Sequence, residues 1–100
     1  MFIAMNRFRV ASGREQTFED LWRKRESYLD AVAGFREFHL LRGPWDDEGT
    51  LFVSHSVWDS REAFEAWTES EHFRKAHAQA KAPQGTYLGH PRFEGFEVIL

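Results

Sequence analysis

Phe2-Ile3-Ala4-Met5-Asn6-Arg7-Phe8-Arg9-Val10 alternates along its whole length. Phe2, Ala4, Asn6, Phe8 and Val10 share one face, while Ile3, Met5, Arg7 and Arg9 share the other. That period of two is a strand. Ala11-Ser12-Gly13 then marks a turn. From about Arg14 to Ala31 the apolar residues Phe18, Leu21, Trp22 and Leu29 follow helical spacing, and Gly34 is a plausible stop. Phe35 to Arg42 and Leu51 to Trp58 read as two further strands joined by a hairpin connection from Gly43 to Gly49.

Asp59-Ser60 supplies capping chemistry for a helix starting near Arg61 and carrying Phe64 and Trp67. Ser70 can cap a second, short helix from about Glu71 to Lys81, with Phe73, Ala76, His77 and Ala80. Ala82 to Pro91 contains two prolines and two glycines and reads as a loop. Arg92 to Leu100 alternates again as a last strand. The order β-α-β-β-α-β predicts an α+β, ferredoxin-like fold: a four-stranded antiparallel sheet with helices on one face, in a single domain spanning residues 1–100. The sheet's other face is too apolar to stay bare, and a second copy of the chain is its natural cover, so a homodimer is expected.

One hundred residues, 42% hydrophobic and 29% charged, suit one compact soluble core rather than disorder. Ten Phe, four Trp and two Tyr supply material for that core and for a pocket taking a flat ligand. A net charge of −3, with no dominant basic stripe, argues against a nucleic-acid partner. The absence of cysteine removes disulfides, thiolate nucleophiles and sulfur-ligated clusters. The N-terminal apolar run is too short for a secretory signal and nothing approaches transmembrane length, so no membrane association and a cytoplasmic location are expected.

Asn6 interrupts an apolar strand face. It is either a structural amide bonded to a nearby loop or a donor aimed into a cavity beside the sheet. Phe73 and His77 are four apart and project from one helical face. His77 is therefore either a packed core residue or a metal ligand in an apolar pocket. Alone it cannot build a zinc site, but it can be the sole protein ligand of an iron already held by a porphyrin. His39 and His55 lie on strands that can pair, which leaves a two-histidine site conceivable. Arg25, four from both Leu21 and Leu29, breaks the first helix's apolar stripe. It either snorkels to water or meets an anionic ligand group at a pocket mouth.

Asn6-Arg7 on the first strand, Val57-Trp58-x-Ser60-x-x-Ala63-Phe64, then Phe64-x-x-Trp67, Phe73 and His77 together resemble the IsdG-type haem-degrading monooxygenases. These belong to the antibiotic biosynthesis monooxygenase (ABM) superfamily, dimeric α+β barrels built from ferredoxin-like chains. The resemblance spans Asn6 to about Lys81. It implies that His77 is the axial ligand to haem iron, that Asn6 donates a hydrogen bond from the opposite side to the ligand on the iron, and that Trp67 presses on the porphyrin and buckles it. Arg25 would sit near the propionates, and Phe64 and Phe73 would be cofactor-binding pocket walls. The implied reaction takes haem, O2 and electrons from an external donor or reductase and yields free iron and an opened tetrapyrrole. No flavin or nicotinamide motif is present in the sequence. Two other readings fit the same residues: a cofactor-free monooxygenase of a polyphenolic or quinol substrate, and a non-catalytic haem-binding module.

Overall fold

Alternation along Phe2–Ala11 (β1) places its apolar face inward and makes β1 a central strand of the sheet. The structure, a computed structural model, describes residues 1–25, 29–78 and 82–100, with the side chains of residues 72 and 76–78 outside the description. The order is β1, α1 (Glu15–Lys24), a 3-10 turn (Leu29–Ala31), β2 (Phe35–Trp45), β3 (Gly49–Trp58), α2 (Arg61–Thr68), α3 (Glu71–Ala78) and β4 (Arg92–Glu97). The strands lie in the order β2-β3-β1-β4, all neighbours antiparallel. This is the expected ferredoxin-like arrangement, with the helices packed on one sheet face.

The first helix is shorter than its periodicity predicts. It ends at Lys24, and Arg25 is already extended (φ −74°, ψ 127°). Leu29 is buried from the separate 3-10 turn rather than from a continued helix. The regular spacing of Leu21, Arg25 and Leu29 thus reflects two elements that bury into one core. The hairpin differs in the opposite sense. Both strands run past the expected Gly43–Gly49 connection, leaving Asp46-Asp47-Glu48 as the turn. The Asp46 carboxylate accepts the backbone N–H groups of Glu48 and Gly49 at 2.9 and 3.0 Å and closes it. Pro44 is tolerated because β2 is an edge strand and a register shift between Arg42 and Trp45 surrounds it.

The capping residues do what their chemistry suggests. Ser60 Oγ accepts from Ala63 N at 3.1 Å, and Ser70 Oγ accepts from Phe73 N at 3.2 Å. The described part of α3 ends at Ala78, and the last three residues of the expected helix, 79–81, lie outside the described residues. Residues 82–91 form a loop tied to β1, with Ala11 N donating to Thr86 O and Leu88 N to Arg9 O, both at 2.8 Å. The final strand stops at Glu97, short of the expected Leu100.

The inner face carries two apolar clusters. One is built on Phe2, Ala4, Leu29 and Trp58, with Phe64 and Trp67 packed against it. The other is built on Phe8, Val10, Phe18 and Phe52, with Trp22 and Tyr87. Between them the ladder places Asn6 directly opposite Ser54. The core is divided by this polar row.

Candidate functional site

A cavity of about 560 Å3 opens on that row, a size ordinary for small-molecule sites. Its floor is the inner sheet face: Ala4, Asn6 and Phe8 from β1, Ser54 and Ser56 from β3, Phe38 from β2 and Phe93 from β4. Leu21, Trp22 and Arg25 close one side, and Phe64, Trp67, Thr68 and Phe73 close the other. Tyr87 and Pro91 from the loop complete the rim. Five of the six residues singled out in the sequence (Asn6, Arg25, Phe64, Trp67 and Phe73) therefore meet around one space. The sixth, His77, has its backbone one turn beyond Phe73 on α3, and its side chain lies outside the described residues.

Asn6 is half-buried, and its amide makes no hydrogen bond to any described residue. Of the two readings open at the sequence level, the bonded structural amide is not the one found. The amide faces the cavity, where its donor and acceptor are open to whatever occupies that space. Trp67 is held by aromatic contacts on several sides. Its ring lies 5.3 Å from Trp58, 6.1 Å from Phe64 and 4.8 Å from Phe73, the last at 87°. Phe64 stacks on Phe93 at 5.5 Å and 7°. Trp22 stacks on Phe38 at 5.6 Å and 15° on the other side. Offset and edge-to-face contacts of this kind make rigid walls.

Among the described residues Arg25 is the only charged side chain that lines the cavity. Its extended backbone at the end of α1 folds the guanidinium over Trp22, 4.5 Å from the ring centroid. Burial pulls its pKa below the usual arginine value, partly opposed by the Tyr87 phenol, but an arginine remains cationic at neutral pH. Burial in turn raises the Tyr87 pKa, which the Arg25 charge opposes. The cavity thus has aromatic walls, one cation at its edge and one bare amide on its floor. That donor set fits a flat, apolar, anionic macrocycle such as haem.

The sequence reading missed Ser54, Tyr87, Phe38 and Phe93. Ser54 was legible, because Phe52-Ser54-Ser56-Trp58 interrupts an apolar strand face as Asn6 interrupts β1. Tyr87 was not, since it reaches the site only through the long-range bridge to Val10. His39 and His55 do oppose each other across β2 and β3, with ring centroids 6.2 Å apart, but on the sheet face away from the cavity. Among the described residues no group of three His, Asp or Glu side chains is arranged to hold a metal ion. Nor is any described helix long and apolar enough to cross a membrane.

The family profile described as antibiotic biosynthesis monooxygenase matches residues 1–79. A staphylobilin-producing haem oxygenase of Staphylococcus haemolyticus strain JCSC1435 is 29% identical over 77 residues, which is 77% of this chain and 73% of that protein. The structure of the haem-degrader MhuD of Mycobacterium tuberculosis, with two haems bound in its active site, superposes with a TM-score of 0.74 at 30% identity, covering 100% of this chain and 97% of the other. SnoaB of Streptomyces nogalater, a cofactor-independent oxygenase, superposes with a TM-score of 0.71 at 20% identity over 99% of this chain and 93% of its own. At that identity the likeness is one of fold.

Proposed function

We propose, from the premise that this chain belongs to the antibiotic biosynthesis monooxygenase family, that it is a haem-degrading monooxygenase of the IsdG type. The observation that carries the reading is the bare Asn6 amide on the floor of an aromatic cavity edged by a single arginine. Relatives that degrade haem, at 29% and 30% identity, support it. Bound haem supplies the iron at which O2 is reduced by electrons from an external donor, and also the porphyrin carbon that is oxidised, so iron and an opened tetrapyrrole leave.

The chain's residues divide the work. His77, one helical turn past the cavity-lining Phe73, would hold the haem iron through a ring nitrogen. Asn6 would stabilise negative charge developing beside it, where a preorganised donor in an apolar surrounding is most effective. Trp67 is backed by Trp58 and Phe73, so it would resist displacement by a macrocycle pressed against it. Arg25 would pair with a propionate at the mouth. Phe64 and Phe73, which line the cavity, would pack against the porphyrin and exclude water.

The working unit is a cytoplasmic homodimer. On the outer sheet face Ile3 lies between its cross-strand partners Val57 and Phe96, with Met5 next along β1, and this apolar field is bordered by Arg7 and its ion-pair partner Glu94 at 3.6 Å. Phe96 stays 45% exposed in the single chain, and a second sheet covers such a field well.

Titrating haem into the purified protein tests the function. A saturable Soret band that collapses when reductant is added in air is the expected result. Intact haem after reductant identifies a binding module instead, and no Soret shift removes haem altogether. His77→Ala is expected to abolish the ligand-dependent spectrum, and an unchanged spectrum rules His77 out as the ligand.

A further inference from the structure

We infer that Ser54 is the positioning residue of Asn6: with haem in the cavity its hydroxyl donates to the amide oxygen, a bond the two side chains do not make without it, and so turns the amide NH2 towards the haem. The inference rests on the haem reading above and adds a residue to it. Three observations lead there. First, Asn6 and Ser54 are direct cross-strand partners, and side chains at such positions stand ~4.5–5.5 Å apart at Cβ. Second, Ser54 is only 8% exposed and lines the same cavity, yet its hydroxyl makes no hydrogen bond among the described residues. Third, the neighbouring Ser56 is already committed. It accepts Trp58 Nε1 at 2.9 Å and donates to Ala4 O at 3.4 Å. Of two serines on one strand face, one is structural and the other is held in reserve.

A primary amide has a donor end and an acceptor end of nearly identical shape, and only its surroundings decide which end faces the cavity. Phe8, Phe93 and Ala4, its neighbours on the inner face, offer no side-chain polar atom to make that choice. The Ser54 hydroxyl does, because it is the nearest side-chain donor on the opposing strand. With Oδ1 occupied, both amide hydrogens are left for the cavity.

The C–O stretching band of the haem-loaded ferrous carbonyl protein reads the polar surroundings of the bound ligand. With the amide held one way, the unsubstituted protein gives a single band. Ser54→Ala is expected to split or shift that band towards the Asn6→Ala position, and Ser54→Thr, which keeps the hydroxyl, to restore it. In an Asn6→Ala background Ser54→Ala is expected to add nothing. The haem-free Ser54→Ala protein is expected to melt no lower than the unsubstituted one, since no bond within the fold is lost. An unmoved band in Ser54→Ala, an equal further shift in the Asn6→Ala background, or a clear fall in melting temperature overturns the inference while leaving haem binding intact. Absence of any Soret band in the unsubstituted protein overturns the haem reading, and this one with it.

Discussion

Asn6 owes its importance to where the alternation of β1 places it. Two residues earlier or later the same inward face is aliphatic or aromatic and buried, and an amide there would need a protein partner. At Asn6 the two core clusters separate, and the amide meets the cavity instead. Its removal should therefore cost chemistry rather than folding. Asn6→Ala is expected to bind haem within a few-fold of the unsubstituted protein and to slow its breakdown by roughly 10²-fold, the scale for losing one preorganised donor. Single-turnover decay of the Soret band checks this, and equal loss of affinity and rate would mean that the amide serves binding alone.

Among the elements, the β2–β3 hairpin and the approach to α2 position the site most directly. Gly34 has φ +84°, and a Cβ there would come within 2.5 Å of the Ala63 Cβ on the first turn of α2. Its carbonyl also accepts Asp59 N at 2.8 Å, just ahead of the Ser60 cap. Gly34→Ala is accordingly expected to destabilise the fold by about 1–3 kcal/mol, from backbone strain and displacement of α2, with a lower urea midpoint as readout. The backbone N–H groups of Gly49 and Glu48, then Arg9, hold the Asp46 carboxyl below its ordinary range. Glu15 is likewise lowered, by its own N–H and the Thr50 hydroxyl. Groups whose folded-state pKa is depressed lend stability that is complete above the unfolded value and lost as pH falls through the folded one. Stability should stay level down to about pH 4.5 and decline below about pH 4, where free carboxyls protonate. Asp46→Asn should lower the neutral-pH midpoint and flatten that acid limb. An unchanged acid limb would show that the turn carboxylate contributes nothing.

For the whole molecule, the unpartnered outer sheet face sets the expectation. Ile3→Asp places a charge between Val57 and Phe96, its apolar partners on the two neighbouring strands, without touching the cavity side. It is expected to convert a dimer into a monomer by sedimentation while the far-ultraviolet spectrum is retained, and a dimer that survives it would place the interface elsewhere. How far all this was legible varies with the physics of each signal. Alternation in β1 and β3, the Ser60 and Ser70 caps and the aromatic spacing in α2 and α3 are local, and they gave the strand order and five cavity residues. The end of α1 was not legible, because Leu29 keeps helical register while burying from a different element. Neither was Tyr87, which a loop delivers across a long sequence separation.

The central claim is that this cavity opens haem rather than merely holding it. The most direct measurement follows haem-loaded protein after addition of reductant, recording the Soret band together with iron captured by a ferrous chelator, in air and under nitrogen. The account predicts that in air the band disappears while one iron is released per haem, and that under nitrogen both stay unchanged. A Soret band that persists in air, with no iron released, would contradict it.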